Sequence, residues 1–225
     1  MLTEELNESK KTQKEIFMKV LLINGSPHGS GTTFAALSEV ARTLNAEGVD
    51  TEIVQVGHLA LHGCMGCGYC FTNGKCVHDD TVNEVAKKFE EADGIIVGSP
   101  VHYASPTGAV ISFLDRLFYS TRFDKKWKVG AAVVCARRGG CTAAFDVLNK
   151  YFTISGMPVV SSTYWNQVHG ASSKDAALDE EGMQTMRNLA RNTAFLIRSI
   201  ALGKAEHGAP ACEKVYRTNF IGKKG

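Results

Sequence analysis

Residues 19–33 read K-V-L-L-I-N-G-S-P-H-G-S-G-T-T. Entered from Lys19, the run Val20-Leu21-Leu22-Ile23 is apolar without any alternation of polar residues. That pattern predicts a strand buried on both faces, in the middle of a parallel sheet. The glycine- and hydroxyl-rich stretch Gly25–Thr33 follows at once and opens a helical pattern. Its apolar positions Phe34, Leu37, Val40, Ala41 and Leu44 recur at helical spacing until Gly48. A buried strand running through such a loop into a helix is the first unit of an open α/β sheet, in which ligands sit at the carboxyl ends of the strands.

The pattern continues along the chain. Strands are predicted over 51–56, 94–98, 129–136 and 158–163, with helices over about 79–92, 107–119, 142–154 and 180–202. Asp79 and Asp80 suit the positive end of a helix dipole. Alternating strands and helices predict one α/β domain with right-handed crossovers and a doubly wound, five-stranded parallel sheet in order 2-1-3-4-5. Residues 1–17 form a polar extension, 18–205 the domain with a cysteine-rich loop at 62–78, and 206–225 a tail without pattern.

A chain of 225 residues, 44% hydrophobic and 21% charged, holds one well-buried domain. A formal net charge of +2 points to neither nucleic acid nor a membrane surface as partner. No window is long and apolar enough to span a bilayer, and the start lacks a signal core. The expected location is cytoplasmic, with the seven cysteines reduced or acting as ligands.

The first loop lacks the Lys-Ser/Thr pair of a P-loop and fits G-x-G-x-x-G poorly. It offers four hydroxyls, Ser26, Ser30, Thr32 and Thr33, and glycines that let amides point into a cavity at a helix N-terminus. Those features suit a phosphate monoester held without lysine. A plain N-cap with a turn needs only one hydroxyl and one glycine. The second strand-end loop, Ser99-Pro100-Val101-His102-Tyr103-Ala104-Ser105-Pro106, has prolines that hold it extended and aromatics that can line a flat ligand. The third, Arg137-Arg138-Gly139-Gly140, either places a cation and amides near an electron-rich ring or is a solvated turn.

Cys64, Cys67, Cys70 and Cys76 form a C-x2-C-x2-C-x5-C run. Thiolates this close need a soft cation or a cluster to neutralise them, and tetrahedral sulfur ligation suits iron–sulfur centres or zinc. His58, His62 and His78 flank the run as further zinc donors, although four cysteines complete a tetrahedral site. Asp115-Arg116 reads as a structural pair on its helix. Neither a Ser-His-Asp nor a Cys-His nucleophile arrangement is evident.

The segments Asn24-Gly25-Ser26-Pro27 with Thr32-Thr33, the cysteine run with Asp79-Asp80, residues 92–97 (A-D-G-I-I-V), 99–103 (S-P-V-H-Y), 113–116 (F-L-D-R) and 182–185 (G-M-Q-T) occur in one order. In that order the chain resembles the flavodoxin-like NADPH-dependent FMN reductase superfamily, and within it the iron–sulfur flavoproteins, over residues 19–201. The resemblance implies FMN. Its phosphate would lie at Ser26, His28, Thr32 and Thr33, and its ring at Pro100, Val101, His102, Tyr103, Gly139 and Gly140. It also implies a [4Fe–4S] cluster on Cys64, Cys67, Cys70 and Cys76, and electron exchange with NAD(P)H, ferredoxin or a quinone in a homodimer or homotetramer. The family usually carries arginine or lysine where His28 stands, a departure that makes phosphate binding weaker or pH-sensitive. Two other readings are an NAD(P)H-dependent flavin or quinone reductase without a cluster, and a zinc-binding or redox-sensing module without turnover.

Overall fold

The computed structural model describes residues 17–213 and 216. The N-terminal extension therefore lies outside the described residues except for Phe17, and so does much of the tail. In chain order the elements are β1 (Lys19–Asn24), α1 (Thr32–Ala46), β2 (Asp50–Gln55), α2 (Tyr69–Asn73), α3 (Thr81–Glu91) and β3 (Gly94–Pro100). They continue with α4 (Gly108–Ser120), β4 (Val129–Ala136), α5 (Cys141–Ile154), β5 (Gln167–His169), α6 (Ser173–Leu178) and α7 (Glu180–His207). All strand pairs are parallel, in the order β2-β1-β3-β4-β5.

The absence of alternation in β1 has its explanation in two cores. Val20 and Leu22 pack under α1 and α7, with Leu37, Val40, Leu44, Leu189 and Ile197. Leu21 and Ile23 face the opposite layer of α3, α4 and α5, with Val85, Phe89, Phe113, Leu117 and Phe152. Helix α3 buries Val82, Val85 and Phe89, one face of a helix, and leaves the rest toward solvent.

The fifth strand departs from expectation. It is Gln167–His169, paired through Val134↔Gln167, and not 158–163. Residues 158–160 do lie along β4, but only as one bridge, Gly130↔Val159. Pro158 has no N–H to offer a ladder. Beyond Val160 the chain turns out, with the Ser162 hydroxyl bonded to the Tyr164 carbonyl and to Asn166, and rejoins β4 at Asn166. The edge of β4 is thus shared by two short pieces. Sequence reading also passed over α2, within the cysteine loop, and α6.

Glu39 ties α1 to α7. Its carboxylate accepts from Arg42 at 2.7 Å and from Arg187 at 2.9 Å. Burial works to raise its pKa, but the two guanidinium groups outweigh burial and hold it below the usual range. A carboxylate depressed in this way adds stability above its unfolded pKa of about 4.3 and loses it as pH falls through the folded value. Glu39→Gln is expected to lose about 1–2 kcal/mol at neutral pH and to show a flatter acid limb below about pH 4.3. Urea unfolding at stepped pH checks this, and parallel curves for the two proteins would refute it.

Candidate functional site

The first loop is braced before any ligand arrives. Asn24 is fully buried, and its Oδ1 accepts from the Ser26 N–H at 3.1 Å. Gln55, at the end of β2, accepts from the Asn24 side chain and donates to the Ser26 carbonyl. Ser26 Oγ accepts from the His28 N–H at 3.1 Å, and Thr107 Oγ1 donates to the Gly25 carbonyl at 2.8 Å. Gly57 lies so close beneath the loop that a Cβ there would stand 2.2 Å from the Ser26 carbonyl.

The four hydroxyls are not equivalent. Thr32 Oγ1 donates to the carbonyls of Gly170 at 3.2 Å and Ser172 at 3.1 Å, tying the loop to the segment after β5. Thr33 is buried. The Thr32 hydroxyl is therefore engaged, and what Thr32 offers an anion is its backbone N–H. Residues 27–30, including His28 and Ser30, are exposed.

In the second loop His102 and Ser105 exchange both backbone hydrogen bonds, at 2.8 and 3.0 Å, around Tyr103 and Ala104. Both central residues have positive φ, 51° and 59°. Two-residue turns of this kind favour Asn-Gly, so a Tyr-Ala pair there carries backbone strain. Tyr103 is fully exposed. Val101 N–H bonds to the Cys135 carbonyl at 2.9 Å. Gly140, with φ of +95°, presses on this loop, and a Cβ there would lie 2.9 Å from Val101 Cγ1 and 3.0 Å from Ala104 Cα. The second and third loops are thus in contact, and Thr107 links the second to the first. Pro100 is half-buried at the end of β3, and Gly139 is exposed beside Arg137 and Arg138.

Helix capping differs among the strand-end loops, and the short α2 in the cysteine loop lacks a side-chain cap. Helices α3, α4, α6 and α7 are each capped by a side chain, from Asp80, Thr107, Ser172 and Asp179. Helices α1 and α5 begin on Gly31 and Gly140 with no side-chain cap. Their first-turn N–H groups are left for something other than the chain's own side chains.

The cysteine loop lies against α4. Cys64, Cys67, Cys70 and Cys76 border one pocket, together with His78 and Arg116. Among the described residues no three Cys, His, Asp or Glu side chains are gathered into a ligand shell. Cys70 is buried in α2 and Cys76 half-buried, whereas Cys64 and Cys67 are exposed. His62 and His78 stack on each other with ring centres 5.1 Å apart, and His58 is exposed.

Arg116 is 1% exposed and does not pair with Asp115. Adjacent helix positions point apart. Asp115 accepts from the Tyr151 hydroxyl, while Arg116 reaches Asp80 with both Nη atoms at 2.8 Å and Cys76 Sγ with Nε at 3.2 Å. Burial tends to raise the Asp80 pKa, but the Arg116 fork and the Val82 N–H prevail and hold it low. Burial likewise tends to lower Arg116, but Asp80 and Cys76 raise it overall. The remaining core thiols are inert by the same physics: burial pushes Cys135 up to about 12 and raises Cys141 as well.

Sequence reasoning missed Gln55, Thr107, Asn83 and the Asp80–Arg116 pair. Two signals were present. A threonine stands just before an apolar helix, and a lone arginine sits within the apolar run of α4.

A family model described as NADPH-dependent FMN reductase matches residues 18–171. An iron-sulfur flavoprotein of Methanocaldococcus jannaschii is 34% identical over 191 residues, which is 81% of this chain and 99% of that protein. Another, of Methanosarcina thermophila, is 29% identical over 187 residues, 81% of this chain and 97% of that one. Among solved structures, a flavodoxin from the domain Archaea superposes with a TM-score of 0.56 at 18% identity, covering 80% of this chain and 99% of that one. At that identity the likeness is one of fold.

Proposed function

This chain belongs to the NADPH-dependent FMN reductase family, in its iron–sulfur flavoprotein branch, and on that premise we propose that it joins an FMN site to a [4Fe–4S] site. It is an FMN-dependent oxidoreductase. FMN when bound supplies two-electron or hydride acceptance with release one electron at a time, and a cluster supplies one-electron carriage.

The residues present fit both groups. Ser26, His28 and the amides of Thr32 and Thr33 hold the FMN phosphate at the uncapped start of α1. Pro100, Val101, His102, Tyr103, Gly139 and Gly140 flank the ring, where the contact of Gly140 with Ala104 fixes how far apart two of the loops stand. Cys64, Cys67, Cys70 and Cys76 are the cluster's ligands, four soft donors around one pocket. That shared pocket is the observation that carries the cluster reading. Helix α4 spans the two sites, with Thr107 at the flavin loops and Arg116 at the cysteines. Their positions are nine residues apart, roughly 14 Å along a helix axis. NAD(P)H is the reductant consistent with the family, and the chain works as a homo-oligomer. Among the described residues no helix is long and apolar enough to cross a membrane.

Iron and acid-labile sulfide on protein purified without oxygen test the reading. About four of each per chain are expected, beside bound FMN. Bound FMN with stoichiometric zinc, or with no metal, would make this a flavin reductase without a cluster.

A further inference from the structure

The buried guanidinium of Arg116 needs a reason. Placing a charge inside a helix-packing face is costly unless every polar edge finds a partner, and here every edge is spent on the cysteine loop or on Asp80 just beyond it. Nη1 and Nη2 hold Asp80, Nη1 also reaches the His62 carbonyl at 3.4 Å, Nη2 the His78 carbonyl at 3.4 Å, and Nε the Cys76 sulfur at 3.2 Å. One side chain of α4 thus touches both ends of the loop.

Cys76 is fixed a second way. Its N–H donates to Asn83 Oδ1 at 2.9 Å, and Asn83 Nδ2 donates back to the Cys76 carbonyl at 3.1 Å. Cys64 and Cys67, by contrast, are exposed. Cys76 is therefore held at both main chain and sulfur.

We propose that Arg116 is a positioning residue for the cysteine centre, whose Nε–H bond presents the Cys76 sulfur to the pocket and raises the reduction potential of the group bound there. The inference rests on the cluster reading above. Hydrogen bonds to ligand sulfurs withdraw electron density and favour the more negative, reduced state. Lysine does not substitute, because a single ammonium lacks the rigid fork that serves a carboxylate and a sulfur together.

The test compares wild type, Arg116→Lys and Asp80→Asn as full-length, FMN-loaded protein. In anaerobic redox titrations followed by electron paramagnetic resonance, Arg116→Lys is expected to lower the cluster potential while the FMN potential in the same sample stays put. Cadmium binding to the metal-free thiols, read from thiolate charge-transfer absorbance, is expected to weaken by about tenfold or more, the usual cost of losing such a partner. Asp80→Asn leaves the Nε–H in place, so it is expected to lower thermal stability and leave both readouts near wild type. Wild-type potential and cadmium affinity in Arg116→Lys would overturn the inference, as would equal shifts in both variants. Wild-type protein that takes up no iron sinks the cluster reading instead, and the cadmium arm still decides the role of Arg116.

Discussion

Asp80→Ala is expected to destabilise the protein by about 3–5 kcal/mol, lowering Tm by roughly 6–20 °C. The loss is large because of what remains. Arg116 is 1% exposed, so without Asp80 its charge is buried and unpaired. The same substitution removes the N-cap of α3, where Asp80 Oδ1 accepts from the Val82 N–H at 3.1 Å. The converse change is milder. Arg116→Met leaves an aspartate that is 31% exposed and can be hydrated. Thermal unfolding should therefore rank Asp80→Ala below Arg116→Met, and the opposite ranking would show that burial of the guanidinium is not what makes the pair matter.

The second large effect separates the two ends of the flavin. Gly57→Ala places a Cβ 2.2 Å from backbone atoms of Ser26, so the phosphate loop has to move. Gly140→Ala places one 3.0 Å from Ala104 Cα at a φ of +95°, so the ring-side loops have to separate. Overpacking of this kind costs about 1–3 kcal/mol, and about 1.4 kcal/mol is tenfold in affinity. Titration of apoprotein by flavin fluorescence is expected to show FMN weakened about tenfold or more by Gly57→Ala, with riboflavin little changed. For Gly140→Ala both ligands should weaken together. Equal losses of FMN and riboflavin in Gly57→Ala would place the phosphate elsewhere.

Much of this was legible in the chain. The run Val20–Ile23 announced a central strand because a residue sequence with no polar alternation has no face to give to water, and the two cores on either side of β1 are the result. Asp79 and Asp80 announced the start of α3 by their charge, and Asp80 is its N-cap. The cysteine run is short enough that all four cysteines line one pocket. Each of these signals is local, set by the period of a helix, the period of a strand or the reach of a short loop.

The parts that were not legible are contacts between distant positions. Thr32 reads as a phosphate contact, and its hydroxyl is bonded to the carbonyls of Gly170 and Ser172, far along the chain. Asp115-Arg116 read as a pair, but the partner of Arg116 is Asp80, and the reason is the direction in which successive helix side chains point. The run 158–163 had the composition of a strand, yet the edge of β4 was available to two segments and the hydroxyl of Ser162 bent the first one away.

From residue order alone came the α/β class, the central strand and the longer helices, because periodicity and side-chain type act over a few residues. Packing alone set that the Thr32 hydroxyl is engaged by the segment after β5 and that a buried arginine holds Cys76. Those outcomes depend on which distant groups compete for the same hydrogen bond, and that competition is settled only when the sheet and its helices pack.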